Sequence, residues 1–89
     1  MICRIYDVPG GTAAQYDQVS ERMGDSRPEG AHVHIAGIAD DGIKVIEVWD
    51  SQEHIDRYMN SGLGQELEEA ELPEPKITQF EVRSFDWAQ

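Results

Sequence analysis

Eighty-nine residues at 10.0 kDa leave room for a single domain over residues 1–89 and exclude a two-domain enzyme that carries its own cofactor domain. Hydrophobic residues at 39% and charged residues at 28% make a globular composition, not a disordered one. Eighteen Asp and Glu against seven Lys and Arg give a formal net charge of -11, a field that repels a phosphate backbone or an anionic bilayer, so neither a nucleic acid nor a membrane partner is expected.

No apolar run approaches the roughly 20 residues of a membrane-spanning helix. The start, Met1-Ile2-Cys3-Arg4, passes directly into alternating apolar residues without the pattern of a secretory signal, and a cytoplasmic location is expected. Cys3 is the only cysteine, which reads as a small buried hydrophobe and leaves no disulfide or cysteine-based zinc cage. Residues Ile2 to Val8 are β-branched and aromatic and stop at Pro9-Gly10-Gly11, the pattern of a strand entering a turn. Thr12 then suits an N-cap, with Gln15 as its capping-box partner and Ala13, Tyr16, Val19 and Met23 at helical spacing, predicting a helix over 12–24. Gly24 to Gly30, with Asp25, Ser26 and Pro28, reads as a loop.

Two β-rich runs, Ala31 to Ala39 and Ile43 to Asp50, flank Asp40-Asp41-Gly42, a hairpin signal in which Asp41 and Gly42 are expected at the centre of the turn. Ser51 can cap a second helix with Ile55, Tyr58 or Met59, and Leu63 on its apolar stripe. Gly62 and Gly64 should loosen it before an acidic stretch around Glu66 to Glu71 resumes it. Pro73 and Pro75 end that stretch, and Lys76 to Phe85 is expected as a fourth strand. The order β-α-β-β-α-β predicts an α+β, ferredoxin-like fold with a four-stranded antiparallel sheet. Helices on one face leave the other bare, so a homodimer packed sheet to sheet is expected.

That turn would pair Ala36 with Glu47 and His34 with Trp49. One face then presents His32, His34, Ala36, Val45, Glu47 and Trp49, and the other Val33, Ile35, Ile46 and Val48. The aliphatic set is expected beneath the helices, and the histidine-bearing set toward an enclosed space shaped by a twin subunit. His34, sheltered by Trp49, is the candidate for proton transfer, because an imidazole titrates near neutral pH. Glu47, in mid-strand, needs a partner: it either orients a catalytic histidine or forms a buried ion pair with Arg4 or Arg83. His32 and His34 lie roughly 7 Å apart along one strand side, so with Glu47 they also admit a metal reading; interface hydrogen bonding is the third reading of the two histidines. His54 is expected at the surface of the second helix. Tyr6 can offer its hydroxyl to a cavity if the first strand turns that side inward.

Taken together, Tyr6-Asp7-Val8-Pro9-Gly10-Gly11-Thr12, His34-Ile35-Ala36-Gly37 and Val45-Ile46-Glu47-Val48-Trp49-Asp50-Ser51 resemble the small dimeric α/β-barrel proteins, in particular the antibiotic-biosynthesis-monooxygenase-like group. In that group a strand ends in Trp, an acidic residue and a Ser that opens the second helix, as Trp49, Asp50 and Ser51 do here. The resemblance implies a homodimer whose two sheets form one barrel, with a ligand cavity between sheet and helices or inside the barrel. It also implies a cofactor-independent enzyme on a small aromatic or polyketide-like substrate, monooxygenase-like, with neither a cofactor nor a metal. The site would comprise His34, His32 and Glu47 as catalytic residues and Trp49, Tyr6 and Arg4 around the substrate. A polyketide cyclase or isomerase of the same fold, or a dimer that binds a small ligand without catalysis, fits the same residues. Heme-degrading relatives carry an Asn on the first strand where this chain has Arg4 and Tyr6, which disfavours that activity.

Overall fold

The structure, a computed structural model, describes residues 1–24 and 27–86, so Asp25 and Ser26 of the expected loop lie outside the described residues. The strands are β1 (Ile2–Pro9), β2 (Ala31–Ala39), β3 (Gly42–Trp49) and β4 (Lys76–Glu81), and they form one antiparallel sheet in the order β2-β3-β1-β4. The helices are α1 (Ala13–Met23), α2 (Gln52–Tyr58) and α3 (Gly64–Glu69), the last two joined by a π turn over Met59–Leu63. The fold is the α+β, ferredoxin-like arrangement with the second helix in two pieces.

Local chemistry sets these boundaries. Thr12 caps α1 through a complete capping box: its hydroxyl accepts from Gln15 N–H, and the Gln15 side chain accepts from the Thr12 N–H. Ser51 caps α2 by accepting from His54 N–H. The π turn falls where Ser61 and Gly62 leave helical geometry, Gly62 with φ 109°, a conformation that costs glycine little. The hairpin turns on Asp40 and Asp41, not on Asp41 and Gly42. Gly42 is already the first residue of β3, and its φ of 144°, with the Val8 carbonyl oxygen where a Cβ would stand, accounts for the glycine.

This turn shifts the register by two residues. His34 lies opposite Glu47 and Ala36 opposite Val45, in place of the expected His34–Trp49 and Ala36–Glu47 pairs. A shift by two keeps each side chain on its face, so His34, Ala36, Val45, Glu47 and Trp49 do share one side. His32 does not join them in line, because a β-bulge between Ala31 and Val33 interrupts the alternation.

The helices cover the opposite face from the one expected. Val8, Ile43 and Val45 form a cluster with Tyr6, Tyr16 and Leu72 packed on it, and Ala31, Trp49 and Ile55 form a second with Ile2, Tyr58 and Met59. The glutamate and tryptophan are therefore buried under the helices, His34 lies on the same side with its side chain 52% exposed, and the aliphatic face is the bare one, with Ile35, Ile46 and Phe80 exposed. Alternation shows which residues share a face but not which face the helices choose, and Ile43, Val45 and Trp49 supply the larger core. Cys3 and Val48 are the buried exceptions on the bare face. The fourth strand stops at Glu81, short of the expected Phe85, and Phe85 packs edge-on against His32 at the far edge of the sheet, 6.2 Å between centroids. The segment after β4 thus crosses this end of the sheet, where Cys3 and Val48 lie.

Candidate functional site

Between the sheet and the helices lies a cavity of about 530 Å³, walled mainly by aliphatic side chains such as Val8, Val19, Ile43, Leu63 and Leu67. That volume falls within the usual range for small-molecule sites. Its polar groups converge on one place: Tyr16, His34, Glu47 and Trp49 all contribute to the wall and are joined by a continuous chain of hydrogen bonds.

Glu47 is the centre of that chain. It is buried, and its two carboxylate oxygens are used separately: Trp49 Nε1–H donates to Oε1 at 3.0 Å, and His34 Nδ1 lies 3.1 Å from Oε2. The register places both partners, since His34 faces Glu47 across the β2–β3 ladder and Trp49 follows Glu47 on the same face of β3. A carboxylate accepts and does not donate, so His34 carries its proton on Nδ1 and leaves Nε2 as the free lone pair. The hydroxyl of Tyr16, on α1, sits 2.8 Å from that Nε2 and donates to it. The two rings are stacked, with centroids 6.4 Å apart.

The same geometry sets the protonation behaviour. The hydrogen bond to Glu47 raises the His34 pKa above its ordinary value, burial opposes it, and the charge of Glu47 adds to the rise. Burial raises the Tyr16 and Tyr58 phenols, with the charge of Glu47 contributing to both. Burial likewise pushes Tyr6 up to about 12, against the lowering effect of Arg4. All three tyrosines are therefore neutral hydroxyls near neutral pH.

The remaining expected residues are distributed otherwise. Tyr6 lines the cavity. Arg4 lies opposite Glu47 in the ladder, but its Nε donates to Gln79 Oε1 at 2.9 Å and its Nη1 reaches the Tyr6 hydroxyl at 3.4 Å; it is not among the residues lining the cavity. Among the described residues Glu47 forms no ion pair with Arg4 or Arg83, and His34 and Trp49 satisfy it instead. The bulge sends the His32 imidazole to Asp50, 2.5 Å away, so it neither orients His34 nor joins it on a metal. Among the described residues no group of three His, Cys, Asp or Glu side chains is placed to hold a metal ion. His54 is half-buried rather than exposed, with its Nδ1 2.7 Å from Ser51 Oγ. In the sequence Tyr16 is one more position on the apolar stripe of α1; its partner is 18 residues away on another element, and nothing in local spacing signals that.

No protein-family model matches the chain, and no curated protein matches it in sequence. Solved structures do. A Deinococcus radiodurans protein provisionally described as an antibiotic biosynthesis monooxygenase superposes with a TM-score of 0.73 over 100% of this chain and 99% of its own, at 15% identity. SnoaB, a cofactor-independent oxygenase from Streptomyces nogalater, gives 0.64 at 17% identity, and a mutant of it gives 0.65 at 18%, each covering 94% of this chain and 92% of that one. At such identities the likeness is one of fold: this chain shares its α+β, ferredoxin-like fold with structures described as antibiotic biosynthesis monooxygenase-like and with the oxygenase SnoaB.

Proposed function

We propose that this protein is a cofactor-independent enzyme that removes a proton from a small, neutral aromatic or polyketide-like molecule bound between sheet and helices. His34 is the base, Glu47 orients it, and Trp49 and Tyr6 line the substrate space. The observation that carries this reading is the Tyr16–His34–Glu47–Trp49 chain at the wall of a largely apolar cavity. The carboxylate holds His34 in the tautomer that can accept a proton and stabilises the imidazolium that results. Removing a proton beside a carbonyl or phenol oxygen yields a delocalised carbanion, and the neutral tyrosine hydroxyls suit its oxygen. A sufficiently electron-rich carbanion reduces dioxygen itself, which is the monooxygenase-like outcome and accords with the oxygenase SnoaB among the structural neighbours. A carbanion that instead attacks or reprotonates internally gives a cyclase or an isomerase.

Oxygen-electrode and deuterium-exchange assays separate these outcomes. Anthrone, a tricyclic ketone with an acidic CH₂, should be consumed with oxygen uptake that His34→Gln abolishes. Exchange without oxygen uptake identifies the cyclase or isomerase branch, and neither activity identifies a binding protein and overturns the enzyme reading. The bare face carrying Ile35, Ile46 and Phe80 supports a homodimer of packed sheets, with the whole of residues 1–89 acting as one domain and small molecules as its ligands. Ile46→Lys should then convert a dimer into a monomer in sedimentation velocity, and a monomeric native protein refutes the pairing.

A further inference from the structure

Both nitrogens of His34 are already occupied within the chain. Nδ1 is committed to Glu47 and Nε2 to the Tyr16 hydroxyl, so an incoming molecule meets no open lone pair on the imidazole. Either Tyr16 swings away to admit it, or the proton travels through the phenol.

The placement of Tyr16 decides against the first route. Its ring packs on the Val8, Ile43 and Val45 cluster and stacks on His34. Its neighbour Gln15 both completes the α1 capping box and donates through Nε2 to the carbonyls of Ala70 and Glu71, at 3.3 and 3.1 Å, which pins the first turn of α1 to the end of α3. A hydroxyl held from ring and backbone alike is a fixed relay point rather than a displaceable lid.

We infer that Tyr16 is the residue that touches the substrate, and that His34 acts through it. This rests on the reading of His34 as the base. In the step, a carbon–hydrogen bond beside a carbonyl breaks and its proton goes to Tyr16 Oη, while the proton already on Oη passes to His34 Nε2. The electron pair stays on the substrate as an enolate, Tyr16 ends as it began, and His34 becomes an imidazolium held by the Glu47 carboxylate. The substrate class follows: a neutral carbon acid with an adjacent oxygen, since a carboxylate would be set against Glu47 in an apolar space.

Deuterium incorporation at C1 of 2-tetralone, followed by proton NMR without oxygen, tests the step. The native protein should catalyse exchange and Tyr16→Phe should lose about 100-fold or more. Nitrogen-15 shifts should show His34 still protonated on Nδ1 in that variant. Placing 3,5-difluorotyrosine at position 16 keeps ring and hydroxyl but acidifies the phenol, and it should move the pH–rate profile, which a purely structural tyrosine would not do. Exchange by Tyr16→Phe as fast as native, or an unmoved profile with difluorotyrosine, overturns the relay and leaves His34 as a direct base. Exchange that is absent in the native protein, or that His34→Gln leaves intact, overturns the base reading and the relay with it.

Discussion

Replacing Glu47 by Gln changes the charge and one hydrogen-bonding site while conserving shape, and the structure specifies how the site must respond. The carboxylate accepts from both Trp49 Nε1 and His34 Nδ1, whereas an amide can accept at one atom and must donate at the other. The indole N–H can only donate, so the amide oxygen turns to Trp49 and the amide NH₂ faces His34. The imidazole then moves its proton to Nε2, and Tyr16 becomes the acceptor. Every group stays paired, but the base has its proton where its lone pair should be. Two charge-assisted bonds become neutral ones, at about 1 kcal/mol each. A neutral amide is easier to bury than a carboxylate, which offsets part of that loss, so the net destabilisation is about 1 kcal/mol. The rate of 2-tetralone exchange should fall far more, by about 100-fold to 10,000-fold. Urea denaturation and the NMR exchange assay, run on the same preparation, give the two numbers. Exchange within about threefold of native, under about 0.7 kcal/mol of barrier, would refute the claim that Glu47 sets the tautomer of His34.

Trp49→Phe keeps the ring but deletes the N–H that satisfies Glu47 Oε1; leaving that buried oxygen unpartnered should cost about 1–3 kcal/mol in urea unfolding, and a change below about 0.5 kcal/mol would show that the bond contributes nothing. The raised pKa of His34 has a defined sign: its pairing with Glu47 stabilises the fold fully below the ordinary histidine value of 6.5, and that stabilisation fades as pH climbs through the raised folded value. Unfolding free energies measured across that window should therefore decline in the native protein relative to His34→Gln, and parallel curves would contradict the coupling. Gly42→Ala places a methyl against the Val8 carbonyl at a φ that disfavours any side chain, and should lower stability by more than about 1 kcal/mol in thermal or urea unfolding.

Much of this molecule is legible in the sequence, because capping and breaking are local. Thr12 with Gln15, Ser51, and the glycine at 62 mark helix ends through contacts within a few residues. His34, Glu47 and Trp49 share a face for the same reason, since strand alternation is local too. What was lost depends on contacts across the chain. The Asp-Gly pair suggested the wrong turn centre, because Gly42 is required by the approach of Val8 from β1, more than thirty residues earlier. Both faces of the sheet carry apolar residues, and the helices take the one with Trp49, Val45 and Ile43 rather than the aliphatic one, a choice that only packing decides. Tyr16 stayed hidden because an amphipathic helix shows its stripe but not the partner of a hydroxyl on it.

The extra residue at the start of β2 is one that the ladder itself does not need. Ala31 must reach Trp49 and His34 must reach Glu47, yet the path between them holds one residue more than the facing strand supplies. Shortening it by one would leave Ala31, Val33 and His34 facing Trp49, Val48 and Glu47 as consecutive pairs, with the alanine still beneath α2 and the imidazole still on Glu47. A deletion at His32, a residue whose own bonds lie outside the proton chain, would therefore spare the site and forfeit only the contacts of that imidazole with Asp50 and Phe85.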